Sequence, residues 1–232
     1  MTAPTTRLRR TAVTLALAAL AASGCSSLHP GSAAVVGDMS VQASTVDDLT
    51  SAVCASNQVR ALHDPASGGK TPTRELRRSI LNILVQADVV EQAATSLGIS
   101  VTPAAVDKLI GNTELVPAGV STDVRTQLLD LFHEIARVQL LTAAIGRRQL
   151  EEAGTTGASD QQASQAGSRF LASYADRIGV DVDPRYGTYT PTGGIAVASG
   201  SLSVPVSLTA LRAQTTNTDA AWISQLPPTQ TC

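Results

Sequence analysis

A mainly α fold is what this sequence predicts: a short N-terminal β-hairpin, about five helices with two long antiparallel ones, and a flexible C-terminal tail. Three observations carry that expectation. Leu76, Ile80, Ile83, Ala87, Val90, Ala94 and Leu97 advance by alternating steps of four and three, which lays an apolar stripe along about seven turns of helix. Val124, Leu128, Leu131, Ile135, Val138, Thr142 and Ile145 repeat the same rhythm downstream, so each stripe has a plausible partner in the other. Aromatic residues make up only 3% of the chain against 43% apolar residues, so the core must be built from Leu, Val, Ile and Ala, the palette of helix packing.

The chain opens on an export signal. Arg7, Arg9 and Arg10 precede the apolar run from Thr11 to Ala22, and Ala22-Ser23-Gly24 leads into Cys25. A charged start, a short apolar centre and small residues before a cleavage point describe a secretory signal peptide over residues 1–24. The run is too short to span a bilayer, which takes about 20 apolar residues. Cys25 directly after Ser-Gly resembles a bacterial lipobox, in which the Cys is diacylated and becomes the mature N-terminus. Ala22 stands where such signals most often carry Leu. The alternative is an ordinary cleaved signal with an incidental Cys. We read Cys25 as the lipid anchor, which implies a protein held at the cell membrane and facing outside the cytoplasm. Each buried CH₂ of a lipid chain contributes about 0.8 kcal/mol, and two chains suffice for stable anchoring.

Residues 25–32 form a polar tether with Pro30 and Gly31, and residues 33–190 form the folded domain. Ala33–Val36 and Met39–Val41 read as strands around a Gly37-Asp38 turn, with Gly first as a type II′ hairpin prefers. Ser44 or Thr45 caps a helix running to about Leu62, with Asp47 and Asp48 in its first turn. After the loop Asp64–Thr71, Thr71 or Thr73 starts the long helix, which stops at Gly98. Its Arg74, Arg77, Arg78, Asp88, Glu91 and Gln92 mostly oppose the stripe and read as a solvated face. Thr102-Pro103 opens a short helix over Ala104–Ile110. Ser121 or Thr122 caps the longest helix, about Asp123–Glu152, in which Gly146 costs roughly 1 kcal/mol relative to Ala. Gly154–Ser159 is a break, Asp160–Ile178 a further helix, and Val180–Gly187 extended. Residues 191–232 are rich in Gly, Ser, Thr and Pro and read as an irregular tail, with one possible strand at Val204–Leu208 and local packing of Trp222.

Beyond Cys25 only Cys54 and Cys232 remain. In an exported protein an even pair reads as a disulfide, pinning the last residue to the first helix. Closing so long a loop contributes at most about 5 kcal/mol. A buried Cys54 with a free terminal thiol is the alternative, and two titratable thiols on non-reduced protein would establish it.

Composition and motifs exclude several functions. The mature chain holds 14 basic against 19 acidic residues, a balance of −5, and no basic stripe for nucleic acid. His133-Glu134-Ile135-Ala136-Arg137 carries Arg where a zinc-protease helix needs its second His. Gly68-Gly69-Lys70-Thr71 ends like a phosphate-binding loop, but Asp64 occupies the position of that motif's first Gly and Pro72 follows. His29, His63 and His133 are dispersed and no Gly-x-Ser-x-Gly elbow occurs, so no nucleophile has an evident base. Asp181 and Asp183 read as a solvated strand face. The expectation is no enzyme, no cofactor, no metal and no small-molecule substrate.

The segment AAVVGDMSVQASTVDDL, with small apolar residues, a tight turn and a capped helix with early acids, is similar to the start of the non-catalytic chaperone module of the extracytoplasmic SurA/PrsA foldases. VDVDPRYG is similar to the extended segment after that module's last helix. The likeness covers about Ala33 to Tyr189. In fuller members a parvulin domain sits between the long helix and the final one, whereas here only Gly154–Ser159 fills that place. The family's isomerase residues therefore have no counterparts to occupy. The resemblance implies a helical module that holds unfolded exported polypeptides on apolar surface. The alternative is a scaffolding envelope lipoprotein with one specific protein partner. Few aromatics and Met are available as sticky anchors.

Overall fold

The computed structural model describes residues 30–63, 70–111, 115–197 and 220–232, and these form a mainly helical protein with a small sheet at one end. Strands β1 (Ser32–Val36) and β2 (Met39–Gln42) make the expected hairpin. Gly37 takes φ +55° while Asp38 keeps a negative φ, the pattern a type II′ turn requires. Strand β3 (Val180–Val182) joins antiparallel on the other side of β1, giving the order β2-β1-β3. The extended reading of Val180 onward is thus a sheet strand, and it closes the chain back onto its beginning. Ser32, Ala33, Ala34 and Val36 on the central strand are buried.

Five helices follow from the expected punctuation. Helix α1 spans Ala43–His63, beginning just before the expected Ser44 or Thr45 because the Ala43 amide donates to the Gly31 carbonyl, 2.8 Å. Helix α2 spans Thr73–Leu97 and ends at Gly98, whose φ of +65° allows its N–H to cap Ala94 and Thr95. Neither Thr71 nor Thr73 caps its start; Pro72 sits at the N-cap, and its carbonyl accepts from Glu75 and Leu76. Thr102 caps α3 (Pro103–Ile110) and Ser121 caps α4 (Thr122–Glu152). Helix α5 (Asp160–Ile178) opens on a full capping box, Ser159 and Gln162 each bonding the other's backbone N–H.

The arrangement departs from two antiparallel long helices. Along α2 and α4, Leu84 and Leu131 line one groove, Asp88 lies near Glu134, and Glu91 pairs with Arg137 at 2.6 Å. Residue numbers rise together in these pairings, so the two helices run in the same direction, with α3 as the crossover between them. The antiparallel neighbour of α4 is α5. There a Cβ on Gly146 would collide with the Ala163 carbonyl, and one on Gly167 with that of Thr142. Gly146 is therefore a required close-approach point between two helix backbones. Its missing side chain has a packing purpose beyond its propensity cost.

Helix α2 is central rather than one-sided. Leu81, Val85, Val89 and Ala93 are buried in addition to Ile80, Ala87, Val90 and Ala94, whereas Leu76, Ile83 and Leu97 of the expected stripe are only partly covered. Sheet, α1, α4 and α5 all pack on it. Arg78, expected in solvent, is buried, with Nε donating to the Tyr186 carbonyl at 3.1 Å and a terminal nitrogen to Glu75 at 2.8 Å. Gln92 Nε2 likewise donates to the Val36 carbonyl at 2.9 Å, tying α2 to β1.

The segment 191–232, expected to be an irregular tail, is ordered near both of its ends. Its strand β5 (Gly194–Ala196) pairs with β4 (Thr188–Thr190), from the end of the expected domain, in a hairpin over α2, where Asn82 Oδ1 accepts from the Ile195 amide at 3.1 Å. At the terminus, α6 (Ala220–Ser224) buries Trp222, and a 3₁₀ turn follows at Pro228–Gln230. The expected strand at Val204–Leu208 lies outside the described residues.

Candidate functional site

Cys54 on α1 and the terminal Cys232 stand at disulfide distance, with Cα atoms 5.0 Å apart. The surrounding backbone holds the terminus in the same place. Cys232 N–H donates to the Thr71 carbonyl at 2.8 Å, and Thr71 N–H returns the bond to Cys232 at 3.2 Å. The last residues thus add a short bridge beside the start of α2. Cys25 lies outside the described residues.

The residues weighed for catalysis are spread apart or already engaged. Arg137, in place of a second zinc-binding His, forms an ion pair with Glu91. His133 Nε2 is 3.9 Å from Asp107, and His63 is exposed at the end of α1. Asp183 bonds Arg185 at 2.7 Å, which holds its carboxyl below the usual range, and Asp181 faces solvent. His29 lies outside the described residues.

What the helices do leave open is a set of surface grooves. One, of about 440 Å³, runs between α2, α5 and the β4–β5 hairpin, with Asn82, Gln86, Arg169 and Tyr189 on its walls. Another, of about 350 Å³, lies between α1, α2 and α4. Its floor is Leu49, Leu84 and Leu131, and its rim is Thr45, Asp48, Gln127 and Asp130. Leucines on three helices reach this floor because the parallel pairing of α2 with α4 leaves α1 to cover only part of the seam. A third cleft, of about 270 Å³, continues along α4 and shares Asp130, with Val101, Val106, Asp107 and Glu134 around it.

The electrostatics of this face are acidic. Asp88, half-buried on α2, has its carboxyl pushed up to about 6, first by burial and then by the neighbouring Glu134 carboxylate. Arg137 is the nearby guanidinium, at 2.6 Å from Glu91 and 3.9 Å from Glu134. Gln127 Oε1 is buried in the groove wall with no hydrogen-bond donor among the described residues. Periodicity does not mark this groove: Asp48 reads as a helix-start acid and Asp88 as part of a solvated face. A helix-by-helix reading has no signal for which leucines of a stripe its neighbours leave uncovered.

Among the described residues no helix is long and apolar enough to cross a membrane. Exposed large apolar side chains on those residues are Met39, Leu62 and Leu109. Residues 8–120 match the family model described as the SurA-like N-terminal domain. No curated protein and no solved structure matches the chain.

Proposed function

We propose that this chain, which carries a SurA-like N-terminal module, is a lipid-anchored extracytoplasmic holding protein for unfolded exported polypeptides and has no isomerase activity. The family match is the observation that carries the reading. The groove between α1, α2 and α4 supports it physically: it is open, with a floor of Leu49, Leu84 and Leu131, so it suits transient burial of single apolar side chains better than enclosure of a small molecule. The break Gly154–Ser159 joins α4 to α5 directly, at the point where fuller members of the family insert their isomerase domain. A photo-crosslinking residue in place of Thr45, on the groove rim, tests the reading in cells. Adducts to many exported proteins are expected, and no adduct at all would overturn it.

The second reading is a scaffolding lipoprotein with one protein partner. The scarcity of exposed large apolar side chains among the described residues favours it, because a general holding surface ordinarily offers more of them. A single dominant adduct in the same experiment supports this reading. Both place the protein on the outer side of the cell membrane through Cys25. Cys25→Ser is expected to prevent incorporation of labelled palmitate and to move the protein out of the membrane fraction; retention of both would remove the anchor.

A further inference from the structure

We propose that the groove between α1, α2 and α4 selects polypeptide segments in which a leucine-sized apolar side chain is flanked by Lys or Arg. The proposal rests on the holding function above and specifies its clients. Leu49, Leu84 and Leu131 form a floor on which an apolar side chain leaves water, in a space of about 350 Å³. Asp48 and Asp130 stand on opposite helices around that floor, both exposed and neither in an ion pair among the described residues. Asp130 also borders the next cleft along α4, where Asp107 and Glu134 add two more carboxylates beside the buried Val106.

The cations on this face do not balance these acids. Arg137 is held by Glu91 and Glu134, and His133 sits beside Asp107. A guanidinium or ammonium next to a docked apolar side chain therefore meets Asp48 and Asp130, which no cationic side chain among the described residues neutralises. An acidic segment in the same position meets like charge, which disfavours it.

The test uses the full mature chain and short fluorescent peptides in which Leu alternates with Lys, Glu or Ser, titrated by anisotropy. The Leu/Lys peptide is expected to bind about tenfold more tightly than the Leu/Glu peptide, with the Leu/Ser peptide between them, and the advantage shrinks in high salt. The exposed substitutions Asp48→Asn and Asp130→Asn, made together, are expected to remove most of the preference while the thermal midpoint stays that of the unsubstituted protein. Equal affinities for the Lys and Glu peptides, or a preference that survives the double substitution, overturn the assignment. If the protein suppresses client aggregation yet shows no charge preference, the groove assignment falls and the holding function stands. If it does neither, both fall.

Discussion

Arg78 and Asp88 show how far a residue's neighbours can move it from its sequence reading. Both sit on the side of α2 that opposes the apolar stripe, yet Arg78 is buried against the Tyr186 carbonyl and Glu75, and Asp88 is half-buried beside Glu134. Arg78 keeps its charge satisfied by reaching a backbone carbonyl of the Pro-Arg-Tyr-Gly turn, so it fastens α2 to the segment leading into β4. Asp88 has no such partner among the described residues, and its raised carboxyl marks a cost of ionisation in the folded state. The sign follows: protons bind more readily to the folded form, so the cost is absent at pH well below 4 and present in full above about 6. Asp88→Asn is therefore expected to stabilise the protein by about 1 kcal/mol at pH 8, discounted for partial exposure, and to have almost no effect at pH 3.5. Chemical denaturation at the two pH values checks this, and equal effects at both would refute the burial account. The Glu134 carboxylate faces Asp88, and Arg137 beside it is paired with Glu91 and Glu134.

At the scale of elements, local chemistry made the helices legible. Gly98, Thr102-Pro103, Ser121 and Ser159 each mark a boundary through a capping bond that depends only on adjacent residues, and each occurs where expected. The N-terminal hairpin was equally readable because Gly37 alone in its turn accepts a positive φ. Helix pairing was not readable this way. A four–three stripe states that a face is buried without stating against what or in which direction, and α2 with α4 proved parallel instead of antiparallel. The signal for the α4–α5 contact was present in Gly146 and Gly167, whose spacing lets two backbones meet. Gly146→Ala should accordingly destabilise the protein by about 2 kcal/mol or more, although helix propensity alone would favour it by up to about 1 kcal/mol. A rise in thermal midpoint for this variant would show that the two helices do not approach as closely as described.

For the whole molecule, the first and last described segments are built into one body. β3 pairs with β1, the β4–β5 hairpin packs on α2, and Cys232 reaches Thr71 and Cys54. A tail rich in Gly, Ser, Thr and Pro was expected to be irregular, yet its ordered pieces are held by backbone hydrogen bonds, a buried Trp222 and the Cys54–Cys232 juxtaposition, none of which periodicity reports. The groove was the least legible feature, because it arises where three helices fail to close over Leu49, Leu84 and Leu131. That opening is what the proposed function uses. The central claim is that the mature protein holds unfolded polypeptide, and light scattering from a chemically denatured client diluted into buffer tests it most directly. Stoichiometric amounts of the mature protein are expected to slow and reduce the rise in scattering, whereas a scattering curve identical to that of the client alone would contradict the account.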